Sequence, residues 1–436
     1  MKKATVAIVG KPNVGKSSLF NRIVGERKSI VYDEPGVTRD RIYASASWLT
    51  RNFNVIDTGG IEIANHPFQD SIRAQAQIAI EEADVIVFLC DGRNEVNDDD
   101  MLIARMLKKS KKPVILAVNK IDDITLSANA YEYYKLGLDS DITIISCNHG
   151  IGIGDLLDRI VEKLPVVKEE QNDDLIRFCL IGRPNVGKSS LVNAFLNQER
   201  VIVSNIEGTT RDAIDTKFTK DGQDFVVIDT AGLKKSGKIY EAVDKYAAIR
   251  ALGAIDRSNV CLLVIDGEAG IREQDKNIVG YAVDEGKAII IVVNKWDLVT
   301  KDEKTMAKFT QDIRENFKFL SYSPIVYVSA KTKQRINIVL EEIMRVFNNA
   351  NKHVSTSVIN EIILDAFAYN PTPDFNGGRL KIFYANQVSI CPPLFVLFVN
   401  NPDFMHFSYR RYLENKIRER IDFDGTPIKI ICRARE

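Results

Sequence analysis

Two eight-residue stretches carry the residue types of phosphate chemistry: GKPNVGKS at Gly10–Ser17 and GRPNVGKS at Gly182–Ser189. A Gly-x-x-x-x-Gly-Lys-Ser loop lets successive backbone N–H groups converge on phosphate oxygens, with a helix N-terminus behind them. The cradles comprise Gly10, Lys11, Pro12, Asn13, Val14, Gly15, Lys16 and Ser17, then Gly182, Arg183, Pro184, Asn185, Val186, Gly187, Lys188 and Ser189. Lys16 and Lys188 are expected to reach the β- and γ-phosphates of a nucleotide, and Ser17 and Ser189 to hold Mg2+.

Three further pairs of motifs follow each loop in the same order. Asp57-Thr58-Gly59-Gly60 and Asp229-Thr230-Ala231-Gly232 place a carboxylate for Mg2+ and a glycine N–H for the γ-phosphate. Asn119-Lys120-Ile121-Asp122 and Asn294-Lys295-Trp296-Asp297 choose the base. Guanine offers N1–H and N2–H2 on one edge, and a single ionised carboxylate, Asp122 or Asp297, accepts both. Adenine would set an acceptor against that carboxylate and leave polar groups unpaired. Ser146, and Ser329 with Ala330, follow the next strands and are expected near the guanine O6. Thr38 in PGVTRD and Thr210 in EGTTRD are candidates for the second Mg2+ ligand and γ-phosphate contact. Arg39 and Arg211, next in each motif, are read first as ion-pair partners of the adjacent aspartates.

The residue after each Asp-x-x-Gly motif is Ile61 or Leu233, where a glutamine would orient an attacking water. Neither can hydrogen-bond water. Asn13 and Asn185 are placed to seat a monovalent cation, K+, against the β- and γ-oxygens. The candidate catalytic set is therefore Lys16, Thr38 and Asn13, with Lys188, Thr210 and Asn185. The candidate metal ligands are Ser17, Thr38, Asp57, Ser189, Thr210 and Asp229.

These motifs need strand ends to sit on. TVAIVG and RFCLIG precede the loops, and FNVID, VIVFLCD, PVILAVNK and DITIIS are apolar runs of strand length separated by helical patterns. Near-continuous apolar strands indicate a mostly parallel sheet covered on both faces, with ligand loops at the strand carboxyl ends. The fold class is thus α/β: two tandem P-loop domains, then a small α+β domain. The two halves align with a constant offset of 172 from Gly10/Gly182 to Asp57/Asp229 and of 175 at Asn119/Asn294. The boundaries read from the sequence are 1–167 and 176–351 for the duplicated domains, 168–175 for an acidic linker, and 352–436 for the tail. The tail runs α-β-β-α-β.

At 436 residues with 45% apolar content, the chain holds several cores. No apolar window reaches membrane-spanning length, and MKKATVAIVG reads as the first strand, not a leader. Six cysteines without a C-x-x-C pair suggest a reducing, cytoplasmic setting. The formal net charge is zero, so a nucleic-acid partner must be met by a local patch. YRRYLENKIRER, with Arg410, Arg411, Lys416, Arg418 and Arg420 beside Tyr409 and Tyr412, is one candidate patch, but composition favours a solvated helix with Tyr412, Leu413 and Ile417 facing the core.

The order GKPNVGKS, PGVTRD, DTGG, NKID, then GRPNVGKS, EGTTRD, DTAG and NKWD, followed by a small α+β tail, resembles the bacterial EngA/Der family of tandem GTPases across essentially the whole chain. The resemblance implies hydrolysis of GTP to GDP and phosphate in assembly of the large ribosomal subunit. It also implies rRNA as partner, a ribosome-associated cytoplasmic protein, a KH-like tail, and neither DNA nor membrane binding. The tail lacks the G-x-x-G loop of RNA-clamping KH domains; NGGR at Asn376–Arg379 and NNPD at Asn400–Asp403 are different motifs. Motif chemistry alone reaches a duplicated GTP switch, and leaves open a GTP-gated scaffold or signalling role in which slow hydrolysis is a reset.

Overall fold

The computed structural model describes residues 4–25, 43–49, 51–60, 68–123, 127–138, 141–165, 175–198, 201–204, 215–228 and 244–435. By contacts the chain divides into two compact units, Met1–Gln171 with Ser236–Asp256, and Asn172–Lys235 with Arg257–Glu436.

The first unit alternates strand and helix: β1 (Ala4–Val9), α1 (Lys16–Gly25), β2 (Tyr43–Trp48), β3 (Arg51–Asp57), α2 (Phe68–Glu82), β4 (Val85–Asp91), α3 (Asp98–Ser110), β5 (Val114–Asn119), α4 (Ser127–Ala130), β6 (Ile142–Ile144) and α5 (Ile153–Lys163). The sheet order is β2-β3-β1-β4-β5-β6. Strands β3, β1, β4, β5 and β6 are parallel, and β2 is an antiparallel edge. Every residue of VIVFLCD in β4 is buried, as a strand covered on both faces requires. Helix α3 begins with a capping box: Asp100 N–H donates to Asn97 Oδ1 and Asn97 N–H to Asp100 Oδ2. Its apolar stripe of Ile103, Ala104 and Leu107 then turns inward.

The second unit repeats the scheme: β7 (Ile176–Ile181), α6 (Lys188–Leu196), β8 (Val201–Ser204), β9 (Thr216–Lys220), β10 (Gln223–Val227), β11 (Val260–Asp266), α8 (Glu273–Asp284), β12 (Ala288–Asn294), α9 (Thr305–Asn316), β13 (Ile325–Tyr327) and α10 (Ile336–Ala350). Helix α7 (Asp244–Arg257) lies between β10 and β11 in sequence, but its residues up to Asp256 belong to the first compact unit. The sheet order is β13-β12-β11-β7-β10-β9-β8. Phe178, Phe195, Phe218 and Phe225 fill its core with edge-to-face and stacked contacts. The two halves differ in length before their last strand. A twelve-residue α9 stands in the second half where a four-residue α4 stands in the first.

The tail contains α11 (Thr356–Tyr369), β14 (Asp374–Phe375), β15 (Gly378–Arg379), β16 (Ile382–Ile390), β17 (Pro393–Val399), α12 (Phe407–Arg420) and β18 (Lys429–Ala434). Strand β17 pairs antiparallel with β16 and parallel with β18. The sequence run GRLKIFYAN reads as one strand, but Gly378 and Arg379 belong to the small β14–β15 hairpin and β16 starts at Ile382. Both tyrosines of α12 are used internally: Tyr409 Oη donates to Asn370 O at 3.0 Å and Tyr412 Oη to Ala366 O at 2.9 Å. Arg418 is turned to the carbonyls of Phe423 and Thr426, both at 2.8 Å, and Arg420 to Asp365. The basic helix is therefore largely a packing and capping element, with Leu413 and Ile417 in the core. No described helix is long and apolar enough to cross a membrane.

Candidate nucleotide-binding sites

In the first unit the loops after β1, β3, β5 and β6 converge on a cleft of about 650 Å³. Its walls include Pro12, Asn13, Gly15, Lys16, Ser17, Gly59, Asn119, Lys120, Asp122 and Ser146. Residues from Pro12 to Ser146 meet there because parallel strands deliver their carboxyl ends to one edge.

The asparagine of the base motif is the keystone. Asn119 Nδ2 donates to Val14 O at 2.8 Å, while its Oδ1 accepts from Cys147 N–H at 2.9 Å. It thereby ties the phosphate loop to the loop after β6. Asn294 does the same in the second unit, donating to Val186 O at 2.9 Å and accepting from Ala330 N–H at 3.0 Å. This close approach explains the second loop glycine. A Cβ on Gly15 would stand 2.4 Å from the Asn119 amide nitrogen, and one on Gly187 2.1 Å from that of Asn294. Both glycines also have left-handed φ, +100° and +96°.

The lysine before the base aspartate takes a left-handed backbone in both copies, φ 69° at Lys120 and 59° at Lys295. Such a conformation costs a non-glycine residue about 1–3 kcal/mol and clusters at functional sites. Lys120 Nζ is held by Asn13 O at 2.6 Å and Asp91 Oδ2 at 2.7 Å. Lys295 Nζ is held by Asp266 Oδ2 at 2.7 Å. Burial pushes the Asp266 carboxyl up, but hydrogen bonds from Lys295, Ala269 and Glu268 outweigh it and leave it below its ordinary value. Asn13 and Asn185 share the left-handed corner of the phosphate loops, φ 66° and 64°, and both are exposed. Asparagine tolerates that region well.

Asp122 sits at the cleft with both oxygens engaged. Ser146 Oγ donates to Oδ1 at 2.6 Å and Arg93 Nη2 to Oδ2. These two hydrogen bonds hold its carboxyl below the ordinary carboxylate range. The same carboxylate presents two acceptors to one edge of a base. In the second unit Asp297 is half-buried and Glu268 occupies the position of Arg93. Ser329 is buried, and its Oγ accepts from Thr332 N–H at 3.1 Å.

Lys16 and Lys188 lie folded over their own loops. Lys16 Nζ donates to Gly10 O at 2.6 Å and Lys11 O at 2.9 Å; Lys188 Nζ donates to Gly182 O and Arg183 O, each at 2.7 Å. Burial lowers both ammonium groups to about 8, against the opposing charge of Asp57 for Lys16 and of Asp275 for Lys188. Asp57 is buried, and its Oδ1 accepts from Gly59 N–H at 2.8 Å. Thr58 is turned away from the cleft, its hydroxyl donating to Ile8 O.

Besides Thr58, four members of the linear motifs do not present side chains to the site. Val14 and Val186 are core residues, as are Ile121 and Trp296, the latter packed on Tyr327 with ring centroids 4.5 Å apart. Thr38, Arg39, Ile61, Thr210, Arg211, Asp229, Thr230, Ala231, Gly232 and Leu233 lie outside the described residues. Outside the linear motifs, Gln75 of α2 lines the first cleft and Arg93 pairs with Asp122. Asp100 and Asp275, also outside the motifs, are salt-bridged to Lys11 and Arg183. The Asn97-x-x-Asp100 cap ahead of an apolar run was the available signal for Asp100.

A family model for a 50S ribosome-binding GTPase matches residues 5–120 and 177–295. A model for the C-terminal KH-domain-like region of EngA bacterial GTPase enzymes matches 353–433. The chain is similar to GTPase Der of Bacillus cytotoxicus, 60% identical over 437 residues covering 100% of both chains. It is 58% identical to GTPase Der of Listeria welshimeri, again over 100% of both. Among solved structures it is similar to Era in complex with MgGDPNP and a 16S ribosomal RNA segment, at 20% identity over 76% of this chain and 92% of that one, with a TM-score of 0.32.

Proposed function

The chain belongs to the GTPase Der family, and from that premise we propose that it is a double GTP switch acting in assembly of the large ribosomal subunit through rRNA. The observation that carries the nucleotide part is the doubled bridge of Asn119 and Asn294, which fixes each phosphate loop against the loop that would face guanine. Asp122 and Asp297 accept the N1–H and N2–H2 donors of guanine. Lys16 and Lys188 leave the carbonyls of Gly10 and Lys11, and of Gly182 and Arg183, for the β- and γ-phosphates, exchanging neutral acceptors for anionic ones.

Ser17 with Asp57 in the first site, and Ser189 with Asp229 in the second, would hold Mg2+, with Thr38 and Thr210 as further ligands. A hydroxyl and one carboxylate are few, hard oxygen donors. That fits an ion that prefers to keep waters and substrate phosphates in its shell. Bound there, the metal neutralises charge on the β- and γ-oxygens. Asn13 and Asn185, exposed at the left-handed corners, are the proposed contacts for K+.

Co-sedimentation of the full chain with ribosomal subunits tests the assembly role. Retention with the large subunit that changes between GTP and GDP is expected. Retention with neither subunit in either state favours a signalling switch. Turnover that is equal in potassium and sodium buffers would remove the K+ role.

A further inference from the structure

The second residue of each phosphate loop, Lys11 or Arg183, reaches away from the cleft to a fully buried carboxylate. Lys11 Nζ donates to Asp100 Oδ2 at 2.9 Å. Arg183 Nε lies 3.2 and 3.0 Å from the two oxygens of Asp275, and its Nη2 donates to Gly270 O at 2.7 Å. Both aspartates are 0% exposed. Both sit at the third position of a helix, α3 or α8, and accept from the backbone N–H of the cap residue, Asn97 or Arg272.

Capping alone does not explain a buried ionised carboxylate. A neutral asparagine accepts the same hydrogen bond, without the desolvation that burying a charge requires. What the charge adds is a grip on the loop. The gripped residue is also the one whose carbonyl holds the phosphate lysine: Lys11 O accepts from Lys16 at 2.9 Å, and Arg183 O from Lys188 at 2.7 Å. Side chain and carbonyl of one residue thus connect the helix N-terminus to the ammonium group.

The two grips differ. Arg183 Nε–H is shared between both oxygens of Asp275, and Nη2 of the same guanidinium also ties the loop after β11. The ammonium of Lys11 meets one oxygen, and Asp100 Oδ1 is buried with no hydrogen-bond partner among the described residues. A planar guanidinium held at two points, the carboxylate and the Gly270 carbonyl, restricts a loop more than a single point charge does.

We propose that Asp100 and Asp275 are positioning residues for the nucleotide phosphates, acting through Lys11 and Arg183, and that the tighter grip makes the second site the higher-affinity one. The proposal rests on the reading of the clefts as guanine-nucleotide sites. A buried strut of this kind fixes where the loop and its lysine stand before nucleotide arrives, which lowers the ordering that binding must impose.

The test is titration of the full chain with a fluorescent N-methylanthraniloyl GTP, one site at a time. The second site is silenced by Asp297→Asn to read the first, and the first by Asp122→Asn to read the second. Asp100→Asn and Asp275→Asn, which keep the cap, are expected to weaken binding about tenfold at their own site. Lys11→Arg is expected to tighten the first site about threefold by engaging Asp100 Oδ1, and Arg183→Lys to weaken the second by a similar factor.

The gain from Lys11→Arg must vanish in the Asp100→Asn background, a coupling that a merely structural role does not produce. Parent affinity in both asparagine variants, a Lys11→Arg gain that persists without Asp100, or a first site as tight as the second overturns the proposal. If an asparagine variant fails to fold, Lys11→Arg and Arg183→Lys decide alone. If the parent itself shows no saturable binding, the nucleotide reading falls first and the strut with it.

Discussion

The two nucleotide sites share their skeleton and differ in their charges. The bridging asparagines make the same pair of bonds within about 0.1 Å, at 2.8 and 2.9 Å in one site and 2.9 and 3.0 Å in the other. The left-handed corners at Asn13/Asn185 and Lys120/Lys295 recur within a few degrees to ten degrees of φ. Yet the loop anchor is a single-point lysine in one and, in the other, an arginine that holds both a carboxylate and a backbone carbonyl. Arg93 pairs with the base aspartate Asp122 in one, and the residue that aligns with it in the other is Glu268. Backbone geometry defines what the site is, and the side chains around it tune how tightly it works.

The largest effect that would break this comparison lies in the shared part. Asp122→Asn and Asp297→Asn each replace one acceptor of the pair with an amide donor facing guanine N–H groups. Guanine-nucleotide affinity at that site is expected to fall about a hundredfold or more, because buried donors are left unpaired. Xanthine nucleotides, with a carbonyl at C2, should gain at the altered site. Parallel titrations with GDP and xanthosine diphosphate check this. Loss at one site only would mean that the two aspartates do different work.

Gly15→Ala and Gly187→Ala attack the bridge itself. Each adds a Cβ within 2.4 or 2.1 Å of an asparagine amide, at a backbone φ that alanine resists. The expected cost is about 1–3 kcal/mol in each module. Thermal unfolding of the full chain should show an earlier transition in both variants, and an unchanged transition would mean that the bridge bends freely.

Much of this skeleton was legible in the sequence because it is local. A phosphate loop lies within one strand–loop–helix unit, and its glycines, lysine and serine are contiguous. The base motif terminates a strand whose partners are apolar runs, so its place at the sheet edge follows from the fold class. The struts were illegible for the opposite reason. Asp100 is 89 residues from Lys11, and Asp275 92 residues from Arg183, and an aspartate near a helix start is ordinarily a solvated cap. Motif membership also overstates contact. Ile121 and Trp296 belong to the base motif but turn into the core, since adjacent residues after a strand end point in opposite directions. In the tail, composition only narrowly favours a packing helix over a nucleic-acid face, and the bonds of Tyr409, Tyr412 and Arg418 to neighbouring carbonyls accord with packing.

The lysines make a prediction in which the sites should agree. Burial holds Lys16 and Lys188 at about 8 in the free protein. The phosphates favour the ammonium form, so the bound-state value is higher. Affinity is then level below about pH 7 and falls as pH rises through 8, by about tenfold per unit until the bound-state value is reached. Binding at pH 8.5 should take up protons from buffer, measurable as a binding enthalpy that depends on the buffer's ionisation enthalpy. A flat affinity from pH 7 to 9.5 would show that neither lysine loses its proton there. Parallel profiles are expected, because the backbone carbonyls that hold the two lysines are equivalent.

The smallest expected effect is the one that separates the base pockets. Arg93 pairs with the Asp122 oxygen that a guanine N–H would claim, so nucleotide must displace or share that contact. The guanidinium is 57% exposed, which keeps this among the weak, solvent-screened surface ion pairs. Arg93→Ala should therefore tighten guanine nucleotides at the first site about twofold to threefold and leave the second unchanged. Glu268→Arg should weaken the second site by a comparable factor. Both differences should shrink in high salt, where exposed pairs are screened. Stopped-flow association in low and high salt reads the effect directly. A weaker first site in Arg93→Ala would invert the argument and make the arginine a contact to the nucleotide instead of a competitor for its carboxylate.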